Sequence, residues 1–206
     1  MTYQRWFQLF AVALCFGGGV AAGQPLVSIG VKGGIPITDP EVAHDESRRY
    51  IVGPSVEVRL PGRFAIEVDA LYQRVGNSTS YFNFANSLLQ SSNRGNQWQF
   101  PILGKYYFQP RTSSWQPYVG AGYSLRTTWL TTEGISIGTD QNSNPTPVSY
   151  KYTSRTNVDF GGEFAAGVRF KAGRVNISPE FRYTRWGAQS GLFPKNEVKF
   201  LVGISF

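Results

Sequence analysis

Cysteine is almost absent from this chain: Cys15 is the one copy in 206 residues, and it lies in the N-terminal segment. Residues 24–206 therefore hold no disulfide and no thiolate metal site. Histidine is equally scarce, with His44 alone, so a transition-metal centre lacks its usual ligands. Charged residues make up only 16 % of the chain. Long apolar runs are missing too, because no stretch supplies the roughly 20 consecutive apolar residues of a transmembrane helix. Helix-period segments of useful length are also absent. The mean hydropathy of −0.23 is ordinary. That value does not exclude a membrane barrel, in which only every second residue meets lipid.

Aromatics and glycine are abundant, at 15 % and 23 copies. The opening "MTYQRWFQLFAVALCFGGGVAAG" carries one charge, Arg5, then an apolar run from Phe7 to Phe16, then small residues. This is the pattern of a signal peptide over residues 1–23, with Ala21 and Gly23 at the cleavage positions and a mature start at Gln24. The apolar run is too brief to span a bilayer as an anchor. Leu14 before Cys15 argues against lipidation. One domain, residues 24–206, then follows.

Period-two alternation places strands near 25–37, 51–60, 63–75, 96–108, 115–130, 157–170, 174–186 and 195–206. Short connections (Pro61-Gly62, 109–114, 171–173) alternate with long polar ones (38–50, 76–95, 131–156, 187–194). An eight-stranded antiparallel up-and-down transmembrane β-barrel, trimmed at one end and elaborated at the other, fits this order.

The strands have two unlike faces. One carries Val27, Ile29, Val31; Val56, Val58; Phe64, Ile66, Val68; Phe100, Ile102; Phe160, Phe164; Phe181, Tyr183; Phe200, Ile204 and Phe206, with no charge in mid-strand. The other carries Lys32, Glu57, Arg59, Glu67, Asp69, Lys105, Arg126, Asp159, Glu163, Arg169, Glu180, Arg182 and Lys199, interleaved with glycine. An eight-stranded barrel is only just wide enough inside to be filled by side chains. The charged, glycine-rich face is expected inside, and the apolar face with the tryptophans outside, against lipid. Aromatic pairs Phe64/Tyr72, Trp98/Phe108 and Phe160/Phe170 stand at the spacing of a band roughly 25 Å tall between two girdles.

The last ten residues, "EVKFLVGISF", alternate to their aromatic end, and "QFPILGKYYF" (99–108) and "WQPYVGAGYSL" (115–125) read as fourth and fifth strands. On these stretches the chain resembles the small bacterial outer-membrane β-barrel family, that of the OmpA-like membrane domain and the "porin family" proteins. The resemblance implies residence in the bacterial outer membrane. It also implies that Phe206 closes an assembly signal read by the barrel-assembly machinery, and that the long connections face outward. One departure from OmpA is expected: no peptidoglycan-binding domain follows the barrel.

Catalysis finds little support. His44, in "DPEVAHDESRR", has acids and Ser47 nearby but no strand context, and no His-x-Ser pair exists. No spacing resembles a dedicated calcium site. No cofactor is expected. The candidate lumen network is Glu67, Asp69, Glu163 and Glu180 against Arg59, Lys105, Arg126, Arg169 and Arg182. Mutual pairing of these charges points to a plugged lumen rather than a narrow channel for small solutes. The net charge is +7, and nucleic-acid binding does not suit an exported barrel. Basic residues gather where strands meet long connections: Arg48, Arg49, Arg74, Arg94, Lys151, Arg155, Arg185 and Lys195. Of these, Arg74, Arg94, Arg155 and Arg185 are the candidate rim for outer-membrane lipids including lipopolysaccharide. The expected function is a structural, non-enzymatic outer-membrane barrel with loops for surface contacts. A narrow channel, a lipid-acting barrel enzyme and a soluble lipocalin-like carrier are the alternatives.

Overall fold

The computed structural model describes residues 26–38, 50–83, 87–139, 145–155, 158–187 and 194–206. Residues 1–23, His44, Arg48 and Arg49 lie outside the described residues. Among the described residues there are ten strands: β1 (Val27–Pro36), β2 (Ile51–Arg59), β3 (Phe64–Asp69), β4 (Leu71–Asn83), β5 (Ser87–Tyr107), β6 (Trp115–Thr139), β7 (Pro145–Arg155), β8 (Asp159–Ala172), β9 (Val175–Trp186) and β10 (Asn196–Ser205). They make eight staves, because β3 with β4, and β7 with β8, each follow one line around the wall.

Every neighbour is antiparallel, and β1 pairs with both β2 and β10. Ile29 and Phe206 exchange backbone hydrogen bonds at 3.0 and 3.3 Å, so the last residue takes part in closure. A closed ladder leaves no edge for lipid to meet, as a membrane requires.

The break between β3 and β4 has a local cause. By continuation of the register on either side, Ala70 stands opposite Pro54 on β2, and its neighbour Asp69 stands opposite Pro101 on β5. Proline has no N–H to give the ladder. The Ala70 amide still donates to the Pro54 carbonyl at 3.0 Å, and the register does not slip across the gap.

Two expected loops are largely strand. The ladder of β4 with β5 runs out to Asn83↔Ser87, and that of β6 with β7 to Thr139↔Pro145. Residues 76–95 and 131–156 are thus mostly paired hairpins, not irregular loops. Beyond the membrane neither face must be apolar, so Ser, Thr and Asn can continue a ladder that hydrophobic alternation does not reveal. The short connections turn where expected, with positive φ at Gly62 (81°) and Gly173 (67°).

The face assignment is direct. Val68 is 46 % exposed and its neighbour Asp69 is 2 %. Val31, Ile66, Ile102, Phe160, Phe164, Phe181 and Ile204 are exposed, while Lys32, Glu67, Lys105, Glu163 and Arg182 are buried. Lumen glycines admit close backbone: a Cβ on Gly122 would stand 1.9 Å from the Ile102 carbonyl oxygen, and one on Gly34 2.0 Å from that of Phe200. The lumen is not purely polar, however. Trp186, Tyr107, Tyr118, Leu103 and Leu201 are buried inside it. The expectation that tryptophan bulk stays outside is therefore corrected at Trp186.

Candidate functional site: the charged lumen and the basic rim

At the middle of the lumen Glu67, from β3, accepts from three cations supplied by three other strands. Lys32 lies 2.5 Å, Lys105 2.6 Å and Arg182 2.8 Å from its oxygens. Arg182 also reaches Asp69 at 2.6 Å, Glu163 at 3.1 Å and Glu180 at 2.7 Å. Glu180 in turn holds Lys32 at 2.8 Å and accepts from the Tyr118 hydroxyl at 2.7 Å. Ionised groups this deep are tolerable only when paired and hydrogen-bonded, since desolvation of each costs several kcal/mol.

Toward the short turns a second group forms around Glu57. Arg59 stands at 2.6 Å and Arg169 at 2.7 Å, and the Tyr107 hydroxyl donates at 2.8 Å. Toward the projecting hairpins Arg126 pairs with Asp159 at 2.9 Å and stacks over the Trp186 ring at 4.1 Å. The Trp186 indole N–H donates to Glu197 at 3.0 Å. Lys199 donates to Gln99, whose amide donates to Glu197 at 3.2 Å.

The nine network residues read from the sequence, Arg59, Glu67, Asp69, Lys105, Arg126, Glu163, Arg169, Glu180 and Arg182, all sit in the lumen, in contact with one another or with neighbouring staves. Sequence reasoning left out Lys32, Glu57, Asp159 and Lys199, although it had placed them on the inner face. It missed Glu197 altogether. The available signal was parity: Glu197, Lys199 and Leu201 share one face at period two. With these included, Glu57, Glu67, Asp69, Asp159, Glu163, Glu180 and Glu197 face Lys32, Arg59, Lys105, Arg126, Arg169, Arg182 and Lys199. Among the described residues the two signs balance, seven to seven. A void of about 20 Å³ between Ser28, Lys32, Ser55, Glu67, Arg169 and Ser178 remains inside. That is room for about one water molecule.

The rim arginines have a common geometry. Arg74 pairs with Asn96, Asn96 with Trp129 and Trp129 with Arg155, a single row across four staves. The Arg155 guanidinium lies 4.9 Å from the Trp129 ring centre. One step below, Tyr72 and Trp98 pack at 5.3 Å, and the Tyr72 hydroxyl donates to Asn96 at 2.8 Å. Arg94 is two positions along β5, opposite Gly76. The same device recurs on β9: Tyr183 donates to Asn196 at 2.9 Å, and Asn196 is the partner of Arg185. All four arginines are exposed on the lipid-facing side of the wall. Lys151 does not join them, because Glu133 holds it at 2.6 Å on the projecting hairpin. Among the described residues, no group of three or more His, Cys, Asp or Glu is placed to hold a metal ion.

The sequence profile of the outer membrane protein beta-barrel domain family matches residues 22–187. The fold is similar to that of Neisserial surface protein A, with TM-score 0.57 and 15 % identity over 89 % of this chain and 97 % of that one. The N-terminal β-barrel domain of Pseudomonas aeruginosa OprF is similar at TM-score 0.49 and 14 % identity, over 87 % and 95 %. No curated protein matches at a significant level.

Proposed function

The chain belongs to the outer membrane protein beta-barrel domain family, and from that premise we propose that it is a structural surface protein of the bacterial outer membrane. In this reading it is non-enzymatic, its lumen is plugged, and its projecting hairpins are available for contacts outside the cell. One observation carries the reading: seven carboxylates and seven cations fill the lumen and bind one another. Groups so paired are poor general acids or bases, and they leave no water column for a solute. Export by a cleaved signal peptide, and recognition of the Phe206 end by the barrel-assembly machinery, complete the proposal. So does contact of the basic rim with anionic outer-leaflet lipid, lipopolysaccharide above all.

Planar-bilayer recording tests the closed lumen. The refolded protein is expected to give no steady conductance at neutral pH and moderate voltage. Stepwise, reproducible openings would replace this reading with that of a narrow channel.

A further inference from the structure

The turn-end mouth of the barrel lies outside the rim and shares only its floor, Arg59 and Arg169, with the lumen network. It is a cavity of about 470 Å³ lined by Arg59, Arg111, Arg169, Lys171 and Arg174, with Phe206 at its side and no Asp or Glu among the described residues that line it. Arg59 and Arg169 form a buried floor, 7 % and 6 % exposed. They share one carboxylate, Glu57, and one ring, that of Tyr107, with guanidinium carbons 3.4 and 5.4 Å from its centre. Two guanidiniums on one carboxylate leave a surplus positive charge. The Nε of Arg169 is moreover buried without a hydrogen-bond partner among the described residues, which is costly for a charged donor.

The walls are fixed in place. Arg111 donates to the Leu60 carbonyl, and Lys171 donates to the Arg111 carbonyl, tying the 109–114 turn to β8. The left-handed turn at Gly173 sets Arg174 at the cavity edge. The volume is that of a small-molecule site, roughly 300–1,000 Å³. Converging arginines suit an anion with several oxygens and more than one charge, because the planar fork donates two parallel hydrogen bonds.

We propose that the turn-end mouth is a binding site for a phosphate-ester or pyrophosphate group, carried by a soluble molecule or by a lipid headgroup. Isothermal titration of the refolded barrel in zwitterionic micelles with inorganic pyrophosphate, at ionic strength held constant with chloride, tests it. Saturable binding is expected in the wild type. Lys171→Gln with Arg174→Gln should weaken it by at least about tenfold, the effect of losing charge-assisted hydrogen bonds. Arg174→Gln alone, at an exposed turn, keeps the test valid if the double variant does not fold, and should weaken binding severalfold. Lys151→Gln, on the projecting hairpin at the opposite end and outside the rim, should leave it unchanged. Repeating the titration in nanodiscs with and without phosphatidic acid assigns the source: competition marks a lipid headgroup, and its absence a soluble phosphate. Absence of saturable binding, or equal binding by wild type and the folded mouth variants, overturns the proposal.

Discussion

Val68 and Asp69 are adjacent in sequence, yet one meets lipid and the other meets Arg182. The pair shows what alternation at the residue scale makes legible. Lipid tolerates only apolar atoms, so the outward set is read reliably from period two. The inward set is harder, because a lumen accepts charge, glycine and aromatic groups alike. Trp186 was misread for this reason: parity with Arg182 and Thr184 placed it inside, and its bulk argued otherwise. Its indole N–H reaches Glu197 and its face carries Arg126, so polar handles offset the size. Two substitutions separate the faces. Val68→Arg should cost about 2–4 kcal/mol at the bilayer midplane. Glu67→Gln should cost about 3–5 kcal/mol, because Lys32, Lys105 and Arg182 lose a shared carboxylate. Adding Lys105→Met should recover part of the Glu67→Gln loss and none of the Val68→Arg loss. Urea unfolding in lipid vesicles measures all these variants. Strict additivity of Glu67→Gln and Lys105→Met would mean that the two side chains are not coupled.

At the scale of elements, sequence reading located the staves and misplaced their ends. Hydrophobic alternation stops where the membrane stops, near Tyr72 and Trp98, but the hydrogen-bonded ladder does not. From Gly76 to Asn83 about eight further residues of β4 remain paired, roughly 25 Å of strand at ~3.3 Å per residue. Nothing apolar is required there, so the signal used to find strands is silent. An isolated two-stranded ribbon is marginal in water, and these hairpins persist as extensions of a ladder already closed below. Removing residues 79–91, which deletes rungs in matched pairs from Thr79↔Ser91 outward, should therefore leave thermal unfolding of the barrel within a few degrees of wild type. A large fall would place stabilising contacts in the hairpin tip. Closure is the opposite case. Phe206 completes the β1–β10 pairing through both backbone bonds with Ile29. Phe206→Ala, which keeps both bonds, should lower stability of the refolded barrel by only about 1.5–3 kcal/mol, the burial of one large side chain at most. Yield in the outer membrane of cells should fall far more, by the proposed role in assembly. Unchanged cellular yield would make this ending incidental.

For the whole molecule, what the sequence could not supply was position around the circumference. Arg74 and Arg185 are 111 residues apart in sequence, and their equivalence appears only when the barrel closes. Each is the partner of an asparagine, Asn96 or Asn196, that accepts from a tyrosine two residues before the arginine, Tyr72 or Tyr183. One device lies between the third and fourth staves and the other between the seventh and eighth, half the circumference apart. An aromatic just below an arginine, on the lipid-facing wall, matches the depth at which hydrocarbon gives way to headgroup. Ordinary strand-end charges would need no such repeated partner set, although edge guarding alone can account for an exposed arginine. If both devices hold anionic headgroups, each contact should contribute on the order of 1 kcal/mol, less at high salt. Thermal unfolding of the refolded barrel should then shift upward with added lipopolysaccharide and less so in 1 M salt, where the screening length is about 3 Å. Arg74→Ala with Arg185→Ala should remove much of that upward shift, while leaving the unfolding temperature in neutral detergent nearly as it was. Tyr72→Phe with Tyr183→Phe, which frees both asparagines but keeps both rings, should remove a smaller part. A shift that is equal in the arginine double variant and the wild type would return these residues to plain strand-end charges and leave lipid contact to the girdle aromatics.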